Sequence, residues 1–132
     1  MSDAQFVAAF EACTFPPDDF HHREHVRLAW IYLNGRPLLE ALTRFAASLK
    51  RFATNTGAAA KYHETVTFAF LFLIHERMQR QVAVTFDDFA AANEDLFAWP
   101  SVLDKYYSAE TLRSELARRT FVLPDASATI AR

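Results

Sequence analysis

Apolar residues recur at three- and four-residue steps along most of the chain, the spacing that stacks side chains on one face of an α-helix. The first such segment runs from about Asp3 to Cys13, with Phe6, Val7, Phe10 and Cys13 sharing a face, and Pro16 and Pro17 end it. Asp18 and Asp19 then offer N-cap carboxylates for a second helix, from about Phe20 to Leu33, which Asn34 and Gly35 close with left-handed backbone. Pro37 suits the first turn of a third helix. Its stripe of Leu38, Leu42, Phe45, Leu49 and Phe52 persists until Asn55 and Gly57 break it.

A fourth helix is expected from about Ala58 to Gln81, carrying the unbroken run Val66-Thr67-Phe68-Ala69-Phe70-Leu71-Phe72-Leu73-Ile74. The run is far shorter than the roughly 20 apolar residues that a membrane span needs, so it reads as a helix covered on most sides by its neighbours. Thr85 followed by Asp88 opens a fifth helix that continues through Phe89 and Leu96 until Pro100. Ser108 caps a last long helix that ends near Arg119, with Leu112 and Leu116 facing inward. The segment from about Val122 onward lacks periodicity and is expected to wrap the surface or cover a cleft. These elements predict an all-α fold, one domain over residues 1–132 built as a single compact bundle of five to six helices. The very hydrophobic Phe68 to Ile74 helix stands at its centre.

Composition narrows the function more than the fold. Only 2 glycines in 132 residues leave little material for hairpin turns, which reinforces the helical reading. With 52% apolar and 23% charged residues the chain can close a core. A formal net charge of −2 argues against nucleic acid as a partner, because phosphate neutralisation requires a basic surface. The single cysteine, Cys13, cannot form an intramolecular disulfide, and no charged-then-apolar export signal opens the chain, so a cytoplasmic location and no membrane association are expected.

Polar residues set into these apolar helices are the candidates for chemistry. His22 and His25, three apart, project from one helix face that continues to Ala29 and Tyr32. Tyr62, His63, Glu64 and Thr67 sit where the most hydrophobic helix begins, a place where polar groups need partners. His22, His25 and His63 together form the ligand set of an open catalytic metal site, zinc first and iron second, with Glu64 as general base or fourth ligand. A plainer account has the histidines bonding to loops, Glu64 favoured by the helix dipole and Thr67 bonding back to the backbone. A third group, Tyr106, Tyr107, Ser114 and Arg118, suits recognition of an anion, although Arg118 could equally pair with Asp104, Glu115 or Asp125.

Taken together, the residues point to a small-molecule enzyme whose site lies between the second and fourth helices, doing hydrolytic, lyase-type or acid–base chemistry. Glu64, Tyr62 and Tyr107 would be catalytic; Tyr32, Thr67, Tyr106, Ser114 and Arg118 would bind the substrate. The ligand should be partly aromatic or apolar and carry an anionic group, since the chain's 13 phenylalanines would wall any cavity. The alternative is a non-catalytic module that binds or senses a small ligand through the same groups.

Several segments also carry a resemblance. Phe20-His21-His22-Arg23-Glu24-His25-Val26-Arg27-Leu28-Ala29-Trp30, Lys61-Tyr62-His63-Glu64-Thr65, Tyr106-Tyr107-Ser108 with Ser114 and Ala117-Arg118, and Phe121-Val122-Leu123-Pro124-Asp125 resemble a family of small bacterial proteins of uncharacterised function. The resemblance covers nearly the whole chain and implies a grouping without an activity.

Overall fold

The computed structural model describes residues 1–83, 85–98 and 101–126, and among them the regular structure is entirely helical. Seven α-helices follow in order: α1 (Asp3–Glu11), α2 (His22–Leu33), α3 (Leu38–Asn55), α4 (Glu64–Arg80), α5 (Phe86–Ala92), α6 (Ala109–Arg113) and α7 (Glu115–Arg119). Short 3-10 turns at Pro17–Asp19, Ala59–Lys61, Glu94–Phe97 and Ser101–Lys105 join them. The expected all-α architecture is therefore observed, with one more division than the apolar pattern suggests.

Local hydrogen bonding explains where the boundaries differ from expectation. α1 stops at Glu11, where Thr14 N–H donates to Ala9 O (2.9 Å) and Cys13 N–H to Phe10 O (3.0 Å), a paired C-terminal closure that puts Cys13 at φ 61°. Gly57 occupies the same place after α3, at φ 76°. Asp18 and Asp19 are used up in a 3-10 turn, so the N-cap of α2 falls to His21, whose backbone N–H donates to Glu24 Oε1 at 2.9 Å. Pro37 caps α3 from outside instead of lying in its first turn.

The largest departure is at the fourth helix. Lys61, Tyr62 and His63 precede α4, and His63 is its N-cap, accepting the Val66 N–H on Nδ1 at 3.1 Å. An imidazole nitrogen can cap a helix as a carboxylate does, but histidine carries no strong capping preference that would announce it. Thr85 caps α5 as expected, by accepting from Asp88 N–H, yet the helix ends at Ala92; Pro100, the expected stop, lies outside the described residues. The last helix is broken at Ser114, whose hydroxyl donates to Thr111 O (2.7 Å) and accepts from Ala117 N–H (3.1 Å), so it closes α6 and opens α7. Leu116 is consequently half exposed, not inward-facing.

The core draws on every layer. Phe6 and Phe10 of α1, Leu28 and Ala29 of α2, Phe45 and Phe52 of α3 and Leu71 and Ile74 of α4 are all nearly solvent-free. A column of rings, Phe20 on Phe10 (4.9 Å) and Phe10 on Phe52 (4.6 Å), locks α1 to α3. α4 packs against α2, α3 and α7, but Phe68 and Phe72 remain partly exposed on its outer side. The apolar run is thus packed on several sides, with no residue of Val66 to Ile74 more than partly exposed.

The outer side of α4 is covered by the last described segment. Thr65 is fully buried; its hydroxyl donates to Thr120 O (2.7 Å) and accepts the Val122 N–H (3.0 Å). Tyr107 Oη donates to Val122 O at 2.8 Å, and the Phe121 ring lies 5.8 Å from Phe68 and 5.7 Å from Phe72. Asp125 accepts from Ser108 N–H (2.9 Å) and from the Ser108 and Thr111 hydroxyls, so it fastens the strap to the start of α6. Residues 120–125 therefore form a strap along α4; residues 127–132 of the aperiodic segment lie outside the described residues. No helix among the described residues is long and apolar enough to cross a membrane.

Candidate functional site

The strap and its caps bring α7 beside the start of α4, and a cleft of about 310 Å³ opens there. Tyr62 and Glu64 come from the entry to α4, Lys50 and Thr54 from α3, Ala59 from the turn between them, and Arg118 and Arg119 from α7. Three residues singled out in the sequence, Tyr62, Glu64 and Arg118, therefore meet in one concave surface. Lys50 and Arg119 complete it.

Tyr62, Glu64, Lys50 and Arg118 each have a defined neighbour. Tyr62 Oη donates to Glu64 Oε1 at 2.7 Å, and Lys50 Nζ stands 5.4 Å from the centre of the Tyr62 ring. Burial raises the Tyr62 phenol well above its ordinary range, and the bond to Glu64 and the charge of Glu64 add to the rise; the Thr67 hydroxyl acts in the opposite sense. The phenol is consequently protonated at any physiological pH and serves as a fixed donor that orients Glu64, which makes it a poor proton source for a reaction. Arg118 grips Glu115 through Nε (3.0 Å) and Nη2 (2.7 Å), the plainer of the two roles open to it in the sequence. That pairing raises Arg118 and lowers Glu115. Neither Lys50 nor Arg119 forms an ion pair with a carboxylate among the described residues.

No histidine lines this cleft, and His63 does not join His22 and His25 in a metal-holding group. Among the described residues no three His, Cys, Asp or Glu side chains come together to hold a metal ion. His63 in particular has both ring nitrogens engaged: Nδ1 accepts from Val66 N–H, which leaves Nε2 to donate to Leu112 O at 2.7 Å. His22 and His25 are neighbours, their ring centres 6.4 Å apart. His25 packs on Phe20 at 4.2 Å, and burial, then the charge of His22, lowers it from 6.5 to about 4. His22 is lowered too, by burial and by His21. The residues present do not fit a three-imidazole centre for zinc or iron, because His63 lies outside α4 and is spent on holding α6.

The remaining sequence candidates bond within the fold, and Tyr106 and Tyr107 also line a second cleft, of about 220 Å³, with Phe72 and Phe121. Tyr32 is fully buried, bonded to Glu11 and to Ser48 Oγ (2.8 Å), and burial raises its phenol far above the ordinary value. Thr67 donates to His63 O at 2.8 Å, the backbone bond considered for it from sequence. Tyr107 is buried against the strap, Tyr106 O receives the Asp125 and Ala126 N–H groups, and Ser114 is the cap between α6 and α7. Lys50 and Thr54 were not foreseeable: both lie on the exposed side of the α3 stripe, and only tertiary packing turns that side toward Tyr62. No family model, curated protein or solved structure matches this chain.

Proposed function

We propose that the protein acts on a small anionic molecule held in the cleft between α3, the start of α4 and α7, with Glu64 as its base. The observation that carries this reading is the Glu64–Tyr62 pair at 2.7 Å beside two cations, Lys50 and Arg119, that form no direct ion pair with a carboxylate among the described residues. A fixed phenol donor orients the carboxylate, and the cations attract and orient an anion from different elements. The cleft volume suits a small molecule and not a polymer. This keeps Glu64 as base, gives Tyr62 the role of orienting donor in place of a catalytic one, passes anion binding from Arg118, which is paired with Glu115, to Lys50 and Arg119, and moves the site away from the histidines.

The second reading is a binding or sensing module without turnover. It is favoured by the raised phenol of Tyr62, which leaves the cleft a base but no matched acid. Both readings require anion binding at the same place. Titration with inorganic phosphate and with acetate, followed by amide chemical shifts, should move the signals of Arg119 and of its neighbours on α7. Arg119→Ala should weaken that binding about tenfold, as loss of a charge-assisted hydrogen bond does, with little change in melting temperature for so exposed a side chain. Unchanged affinity in the variant, or shifts confined to another surface, would sink the assignment.

A further inference from the structure

The cleft carries charges of both signs, and their partners differ. Glu64 uses Oε1 on the Tyr62 phenol, and no other hydrogen bond reaches its carboxylate among the described residues, so Oε2 is left able to accept. Arg118 is already held at both ends of its fork by Glu115, whereas Lys50 and Arg119 are not ion-paired within the described chain. A simple anion would satisfy Lys50 and Arg119 but would set its charge beside Glu64 and bring no donor for Oε2. A multiply charged anion such as a phosphomonoester would sharpen that repulsion. A cation alone would satisfy Glu64 and meet Lys50 unfavourably.

We infer that the ligand of this cleft is a small zwitterion, a free amino acid or a close relative, with its carboxylate toward Arg119 and Lys50 and its ammonium donating to Glu64. The inference rests on the cleft being the working site. About 310 Å³ accommodates a molecule of amino-acid size.

The test uses pairs that differ only in the ammonium: glycine with acetate, and leucine with 4-methylpentanoate, each titrated into the full chain and into Glu64→Gln. Glutamine keeps an acceptor for Tyr62 and removes the charge. In the unaltered protein the amino acid should bind about tenfold tighter than its deaminated partner, the worth of one charge-assisted bond. In Glu64→Gln the gap should close, with the plain carboxylate binding better than before. Equal affinities in the unaltered protein, or a preference that survives in Glu64→Gln, would overturn the zwitterion assignment. Binding of inorganic phosphate or acetate, lost in Arg119→Ala, with no gain for the amino acids, would overturn it while leaving the anion cleft in place. No binding by any of these probes would remove both.

Discussion

His63 shows how one residue's local geometry redirects a functional argument. As an N-cap its ring is held from two sides, by the Val66 N–H and the Leu112 carbonyl, so the imidazole joins α4 to α6 and has no lone pair to offer an ion. Replacing it with Gln should destabilise the fold by about 1–3 kcal/mol, since one of two buried partners is left imperfectly matched. Zinc content should be the same in both proteins. Loss of bound zinc without a lower melting temperature would return His63 to the role of ligand. His25 is a different case, a neutral imidazole favoured by burial against Phe20, lowered from 6.5 to about 4. Between those two values the unfolded chain takes up a proton that the folded chain refuses, so stability is full above the upper value and falls as pH drops toward the lower. The loss from pH 7 to 5 is about 2 kcal/mol. Chemical denaturation at both pH values should show this drop, and His25→Leu should remove most of it. An equal drop in the variant would assign the effect to other groups.

At the scale of elements, the apolar stripes placed α1, α2 and α3 within a few residues because those stripes are the faces that pack, and packing decides which turns survive. The misplaced ends share a cause: they depend on which side chain captures a terminal N–H. Glu24, which takes the His21 N–H, and His63 and Ser114 do so here, and none interrupts the apolar spacing. Tyr106-Tyr107-Ser108, part of the group expected to recognise an anion, meets Phe121-Val122-Leu123-Pro124-Asp125 in a clasp. Side-chain types alone do not tell a clasp from a site, because both need donors and acceptors in apolar surroundings. Tyr107→Phe isolates the clasp, as it keeps the ring and deletes only the bond to Val122 O. It should cost about 1–2 kcal/mol, with the carbonyl left partly buried and unpaired. Hydrogen exchange should quicken at Val122 more than at core amides of α2. Uniform acceleration, or none, would mean that the strap is held chiefly by Phe121.

Over the whole molecule, the cleft lies where α7 packs beside the entry to α4, next to the strap that Thr65 holds. Tyr62, Glu64 and Arg118 could be singled out from sequence as separate polar residues, but their meeting depends on Thr65, a buried hydroxyl that bonds on both sides to backbone just beyond Arg119. Thr65 is not itself among the residues that line the cleft, so its side chain acts on binding through the position of its neighbours. Thr65→Val preserves volume and β-branching while stranding Thr120 O and Val122 N–H, and should lower stability by about 1–3 kcal/mol. Because Arg118 and Arg119 ride on the element so loosened, anion affinity should fall by several-fold at a temperature where the variant is still folded. Ligand should reciprocally restore exchange protection at Val122, since a molecule that binds only the ordered arrangement stabilises it by mass action. Comparison with Tyr107→Phe at matched stability sharpens the result: both loosen the strap at Val122, but only Thr65 also anchors Thr120, immediately after the two arginines. A larger loss of affinity in Thr65→Val than in Tyr107→Phe would locate the coupling at the end of α7. Equal affinity in both variants and the unaltered protein would show that α7 keeps its place without the strap.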